Sequence, residues 1–396
     1  MEISHVFTLI GLLLKVTTVY FAFIALRWMF CRQTHWAAAP PVTRFAVVIA
    51  ARNEEAVIGR LVSSLLNQNY PKELFDVYVV PNNCTDDTAN AAFQAGANIL
   101  LCDYPVRQKG DALRQAFCQL EGKEYDAFLV FDADNVVDRQ YLQKTNDAFC
   151  AGARVVKGRH AAWNPKDSWV SGCYDLYFAG FDLLFNRPRA NGFLSAKLIG
   201  TGFAVHRTVL EQLGGWNTGT IAEDAEFSAQ CAMAGIRVWW APDALTYDEE
   251  PCSFWVSLHQ RKRWCSGVMQ VGRAMIPRLM GQKMSALRWD MVLFLMTAQL
   301  QPVSALLLAV SRLFTATEDG FSCWTFLQML ALYWLGCAVF GALLALLCRA
   351  RERRNWKAVA LFPVFMASWL PLQVLALFKN TTHWREIRHG ETIHLT

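Results

Sequence analysis

Two carboxylates stand one residue apart in Phe131-Asp132-Ala133-Asp134, at the end of an apolar run. Asp132 and Asp134 so placed can hold one divalent cation: a hard ion such as Mg²⁺ or Mn²⁺ takes oxygen ligands and completes its shell with substrate phosphate. Surface turns contain many such pairs, but this one follows a buried strand, which sets it apart. A second acidic pair, Glu223-Asp224, opens a helical run to Ala234. Carboxylates at a helix start often serve only as caps and dipole partners. The approach through Gly214, Gly215, Trp216 and Gly219 supports the other reading, in which Asp224 is a general base taking a proton from an acceptor hydroxyl. The third group is Gln260-Arg261-Lys262-Arg263-Trp264. On a helix, Gln260, Arg263 and Trp264 share one face. A guanidinium there can grip phosphate oxygens in bidentate fashion and an indole can pack on a sugar ring; a basic, aromatic helix at a membrane surface is the alternative.

The elements that must carry these residues alternate between strand and helix. Phe45 to Ala51 reads as a buried strand, and the spacing of Ile58, Leu61, Val62, Leu65 and Leu66 predicts a helix over Ala56 to Asn67. Phe75 to Val80 is a second strand ending in Pro81-Asn82-Asn83, a helix starts near Thr85-Asp86-Asp87, and Ala127 to Asp134 is a further strand. This alternation specifies an α/β domain with a mostly parallel sheet. Ligands of such sheets bind beyond the carboxyl ends of the strands. Asn53-Glu54, Asn82-Asn83 and Asp132-Asp134 all fall at such ends.

The chain has 396 residues, of which 54% are hydrophobic and 18% charged; soluble domains carry about 25% charged residues. The apolar excess lies in four stretches, Val6 to Phe30, Met291 to Val310, Trp324 to Leu347 and Ala358 to Phe378. Each reaches the about 20 residues needed to cross a bilayer. Pro363 and Pro371 leave two readings of the last one, a full crossing or a kinked or re-entrant segment, and Lys15 falls inside the first, where it faces a bundle interior or snorkels. A cleaved signal peptide is the alternative for the first stretch, opposed by the lack of a basic segment before the apolar run and of a clear small-residue cleavage motif. Arg27, Arg32 and Arg44 follow it, while Arg349, Arg351, Arg353, Arg354 and Lys357 crowd the loop before the last. The positive-inside rule puts both sets, and the domain between, on the cytoplasmic side. The net charge of +5 is thus a topology signal, and no nucleic-acid partner is expected. Twelve cysteines without a CxxC pair read as reduced thiols. The resulting division is an N-terminal membrane helix over 1–31, a catalytic domain over 32–250 and interfacial amphipathic helices over 251–288. Membrane helices over 289–379 and a tail over 380–396 complete it.

The ordered series Ala51-Arg52-Asn53-Glu54, Lys109-Gly110-Asp111-Ala112-Leu113, Asp132-Ala133-Asp134, Gly200-Thr201-Gly202-Phe203, Glu223-Asp224 and Gln260 to Trp264 resembles family-2 glycosyltransferases. It is most similar to membrane polysaccharide synthases such as those of cellulose, hyaluronan and poly-N-acetylglucosamine. The resemblance spans about Phe45 to Gly267 and implies the Rossmann-like A-type nucleotide-sugar transferase fold, beside about four transmembrane helices. It places Asn53 and Glu54 near the nucleotide, Lys109 near the nucleotide or diphosphate, and Asp132 and Asp134 on the metal and diphosphate. Asp224 becomes the base, Gly202, Phe203 and Glu223 lie toward the acceptor, and Gln260, Arg263 and Trp264 hold the diphosphate and acceptor end. Two positions depart from the pattern: Pro81-Asn82 where many relatives carry an acidic pair, so that Asn82 offers the nucleotide only hydrogen bonds, and Ala222 where a threonine is common.

The implied activity is inverting transfer of a sugar, N-acetylglucosamine by the resemblance, from a UDP-sugar to a growing polysaccharide at the plasma membrane. Mg²⁺ or Mn²⁺ is the implied cofactor. Transfer of one sugar to a membrane lipid is the alternative. A non-catalytic membrane scaffold is a third reading, which the intact acidic pair, base and Arg-Trp motif oppose.

Overall fold

The structure, a computed structural model, describes residues 3–30, 32–190, 192, 194–319, 323–347 and 355–379. Of the basic loop, Arg349, Arg351, Arg353 and Arg354 lie outside the described residues, as does the tail from 380 to 396.

The described residues contain one eight-stranded sheet: β1 (Phe45–Ala51), β2 (Phe75–Pro81), β3 (Asn98–Ile99), β4 (Ala127–Asp132), β5 (Asn135–Val137), β6 (Val155–Ala162), β7 (Phe203–His206) and β8 (Val238–Asp248). The spatial order is β3-β2-β1-β4-β7-β6-β8-β5. Helices α1 (Ile3–Leu26), α2 (Glu55–Leu66), α3 (Thr88–Gln94), α4 (Lys109–Leu120), α5 (Tyr141–Cys150), α6 (Trp169–Phe181) and α7 (Arg187–Ala190) come first along the chain. They are followed by α8 (Arg207–Leu213), α9 (Glu223–Met233), α10 (Phe254–Met280), α11 (Ala286–Asp319), α12 (Cys323–Leu347), α13 (Trp356–Ala367) and α14 (Trp369–Phe378).

A parallel strand covered on both faces reads as a continuous apolar run, and β1 is such a strand. Val47 and Ile49 pack with Ile58, Leu61 and Leu65 of α2, while Ala46 and Val48 join Leu113 and Ala116 of α4. In register, Ala50 stands opposite Asp132 and Ala51 opposite Pro81, so the carboxyl ends of β1, β2 and β4 are level. β7 runs antiparallel between β4 and β6, and β5 antiparallel beside β8. Both are short, which is why no periodicity announced them. The glycine-rich approach to α9 is anchored: Trp216, 1% exposed, stacks on Phe227 at 4.2 Å and on Phe203 at 5.9 Å.

Among the described residues, four segments are long and apolar enough to cross a membrane: Leu9–Leu26, Ala286–Leu307, Leu327–Leu347 and Trp356–Phe378. Lys15 sits exposed on α1. The last segment breaks at Ser368, between α13 and α14, rather than at Pro363, which stays inside α13. Pro371 lies in the first turn of α14, where a missing N–H leaves no intrahelical bond unmade. Arg261 of α10 fastens the break, with Nη1 donating to the Phe365 carbonyl at 3.0 Å and to Ser368 Oγ at 2.8 Å. Most of the 251–288 stretch, expected as interfacial amphipathic helices, is one helix of 27 residues, α10.

A buried ionic cluster joins the residues before β7 to two of the membrane-length helices. Asp290 of α11 accepts from Arg189 Nη2 at 2.8 Å, Lys197 Nζ at 3.0 Å and the Tyr20 hydroxyl of α1 at 2.9 Å. Arg189 and Asp290 are fully buried, and breaking such a cluster strands an uncompensated charge. Asp290→Ala is therefore expected to cost about 3–5 kcal/mol, read as a lower thermal unfolding midpoint in detergent. An unchanged midpoint would show that the cluster does not hold the two parts together.

Candidate functional site

Lys109 opens α4, where Asp111 Oδ2 accepts from the backbone N–H of Arg107 at 3.0 Å and of Gln108 at 3.3 Å. The close approach of this helix start needs Gly110, since a Cβ there would lie 2.5 Å from Thr218 Oγ1. Lys109 Nζ sits 2.6 Å from Asp132 Oδ1 and 3.0 Å from Glu223 Oε1. Burial disfavours its ammonium, yet the two carboxylates raise its pKa above the ordinary lysine value. Burial also opposes the charge of Asp132, but Lys109 and, behind it, Arg263 hold that carboxyl below the usual range. Glu223 moves the other way, raised by burial and only partly relieved by Lys109. The Asp132 backbone N–H donates to Thr201 Oγ1 at 2.9 Å, which fixes the turn carrying the acidic pair.

Asp134 faces other partners. Asn135 Nδ2 donates to Asp134 Oδ1 at 3.2 Å and to Asp248 Oδ1, at the end of β8, at 2.9 Å. Burial, then the charge of Asp248, raises the Asp134 pKa well above the ordinary carboxylate value. Negative charge is in excess here, and an oxygen-rich group of this kind suits a hard divalent cation. Asp224, the second residue of α9, accepts a hydrogen bond from the Gly200 N–H, within a turn where Gly200 and Gly202 have φ of +61° and +62°. On α10, Gln260 accepts from the Tyr174 hydroxyl at 2.7 Å, and Trp264 stacks near Trp369 at 6.2 Å. The helix meets the start of α9 closely: a Cβ on Gly267 would lie 2.7 Å from the Cβ of Ala222. Small residues at 222 and 267 thus set the separation between Asp224 and Arg263.

These groups line one cavity of ≈ 1070 Å³. Glu54, Asn82, Lys109, Asp132, Asp134, Glu223, Asp224, Gln260, Arg263 and Trp264 all reach its wall. Asn82 does so with its amide already engaged, Oδ1 by Arg52 Nη2 at 3.0 Å and Nδ2 by the Ala51 carbonyl at 2.9 Å. Asn53, at φ +56°, accepts from the Thr85 N–H at 2.7 Å and is not among the lining residues. Gly202 and Phe203 are not among them either: Phe203 is wholly buried in the core, whereas Gly200, two residues earlier, lines the cavity. Sequence reasoning passed over Arg52, His160, Asp248 and Glu250, which also line it. The strand-end argument that found Asp132 would have found Asp248 and Glu250, had β8 been recognised as a strand of the same sheet.

A family model described as "Glycosyltransferase like family 2" matches residues 40–267. The chain is 27% identical over 266 residues to YdaM of Bacillus subtilis, covering 64% of this chain and 62% of YdaM. It is 29% identical over 321 residues to a beta-monoglucosyldiacylglycerol synthase of Nostoc sp., covering 76% of this chain and 66% of that protein. The chain thus spans less than two thirds of either relative. In fold it is similar to the mannosyltransferase PcManGT of Pyrobaculum calidifontis, solved with GDP-Man and Mn²⁺: TM-score 0.60 at 19% identity, over 91% of this chain and 99% of that one.

Gly267→Ala should push α10 away from Ala222 and shift Arg263 relative to Asp224. Misplacement by about 1 Å can cost roughly 10²-fold in rate, so sugar transfer should fall by that order while elution in detergent stays unchanged. Wild-type turnover would show that the close helix contact is dispensable.

Proposed function

The chain belongs to the glycosyltransferase-like family 2, and from that premise we propose that it transfers one sugar, with inversion, from a nucleoside-diphosphate sugar to a hydroxyl carried by a membrane lipid. The carrying observation is the continuity of the cavity. Its lining combines Lys109, Asp132, Asp224 and Arg263 with Phe21 of α1, Phe181 of α6, Met291 and Phe294 of α11, and Leu370 of α14. An apolar chamber reaching the membrane helices suits an acyl or prenyl chain, whose headgroup would then meet Asp224. The polymer expectation rests on the Gln260 to Trp264 motif, which the resemblance extends to lipid glucosyltransferases as well. The protein is a membrane protein. Its catalytic domain faces the cytoplasm in this reading, with the charges of Arg27, Arg32 and Lys357 on that side of four crossings.

In the transfer step, Asp224 accepts the proton of the acceptor hydroxyl as that oxygen attacks the anomeric carbon from the face opposite the leaving group. The Gly200 N–H orients the carboxylate for this. Lys109 and Arg263 oppose the charge that grows on the departing diphosphate, the arginine with a fork suited to its oxygens. A divalent cation, which the oxygen donors around Asp134 suit, supplies further neutralisation of that diphosphate when bound. Gln260 and Trp264, beside Arg263 on α10, face the acceptor. An α-linked donor gives a β-linked product.

A positioned base contributes about 10²–10⁴-fold, so Asp224→Asn should lose at least that much transfer while retaining nucleotide binding. Wild-type turnover would remove Asp224 from the role. Incubation with membranes and a panel of radiolabelled nucleotide sugars should yield a single organic-soluble product; a ladder of increasing size would replace the lipid reading with polymer synthesis.

A further inference from the structure

We propose that the cation is held by Asp134, Asp248, Glu250 and His160, and that Asp132, gripped by Lys109, is not one of its principal ligands. This rests on the reading of the chain as a metal-assisted transferase, and it changes where the ion sits. The two carboxylates of Asp132-Ala133-Asp134 have separate partners. One is 2.6 Å from Lys109 Nζ, while the other shares the amide of Asn135 with Asp248. Sheet pairing gathers the remaining donors: Asp248 stands opposite Asn135 of β5 and Ala162 of β6.

His160, on β6, supplies an independent sign of a ligand. It is 8% exposed, and its ring is fixed by stacking on Phe178 at 3.9 Å. Nε2 lies 3.1 Å from Asp248 Oδ2 and 3.5 Å from Glu250 Oε1, yet neither ring nitrogen has an aligned hydrogen-bond partner among the described residues. Buried polar atoms without partners are rare. Ligand atoms of His160, Asp248 and Glu250 all lie within 4.8 Å of one another. Donors placed about 2.0–2.2 Å from a common ion are about 3–4.4 Å apart, so slight contraction around an ion closes the shell. One imidazole among carboxylates favours a first-row ion such as Mn²⁺ over Mg²⁺.

The test is Mn²⁺ titration of the full-length protein in detergent, stripped with chelator and without nucleotide, following free and bound ion by electron paramagnetic resonance. Asp248→Asn and His160→Gln should each weaken binding by at least about tenfold, with little change for Asp132→Asn. Bound Mn²⁺ should also show coupling to a ligand nitrogen that disappears in His160→Gln. Thermal unfolding identifies a variant that has lost its fold. Should Asp248→Asn disturb the sheet, His160→Gln, on a different strand, gives the same readout. Wild-type affinity in both variants, together with loss in Asp134→Asn, would place the ion on the acidic pair alone and overturn the site while leaving the transferase reading intact. A wild-type protein that takes up no Mn²⁺ yet transfers sugar in chelator would overturn both metal claims.

Discussion

The Lys109 ammonium, 2.6 Å from Asp132 and 3.0 Å from Glu223, ties together three segments that lie far apart in the chain. It comes from the start of α4, and its partners stand at the end of β4 and the start of α9. Ion pairs sheltered from bulk water are worth having only when their geometry is good and their remaining valences are satisfied. Both conditions explain the surrounding residues. Gly110 lets α4 come close enough, Asp111 holds the helix start, and Thr201 fixes the backbone of Asp132. With Lys109 drawn to Asp132 and Glu223, Asp224 is left to face the cavity on the next residue of α9, and Asp134 is left to other partners. In the proposed mechanism, one lysine thereby separates leaving-group stabilisation, proton transfer and cation binding among carboxylates that crowd one strand-end surface.

The parallel half of the sheet was legible in the sequence because β1, β2 and β4 are buried on both faces and so read as unbroken apolar runs. The acidic pair, Glu54 and Asn82 were found by the same logic, since they follow those runs. β5 and β7 were not legible: three and four residues long, they owe their pairing to neighbours distant in sequence. Missing them hid β8 as part of the same sheet, and with it Asp248 and Glu250; His160 lies on β6, which was not recognised either. Other differences arise from tertiary contacts that spacing cannot encode. Asn82 spends its amide on Arg52 and Ala51, Phe203 joins the Trp216 stack, and the break of the last apolar segment falls at Ser368, where Pro371 cannot bond the carbonyl four residues earlier and where Arg261 fastens the turn.

The motif on α10 divides its work in a way the sequence alone did not suggest. Gln260, Arg263 and Trp264 face the cavity, while Arg261 is wholly buried and grips the break between α13 and α14. The same helix therefore lines the polar site on one face and is locked to membrane-length segments on another. On the other side of the cavity, Asp290 joins α1 and α11 to the residues before β7. In the proposed function, these two fastenings keep the cavity against the membrane-length helices, so that a lipid-borne hydroxyl and a nucleoside diphosphate can meet at Asp224.

The organising role of Lys109 is tested most directly by a double-mutant cycle of Lys109→Met and Asp132→Asn, read as kcat/KM for sugar transfer. Groups that act as one unit are strongly non-additive. The account predicts that the double variant is little worse than the poorer single variant, a coupling of about 0.5–3 kcal/mol. Losses that simply add would contradict it, because Lys109 and Asp132 would then be acting independently.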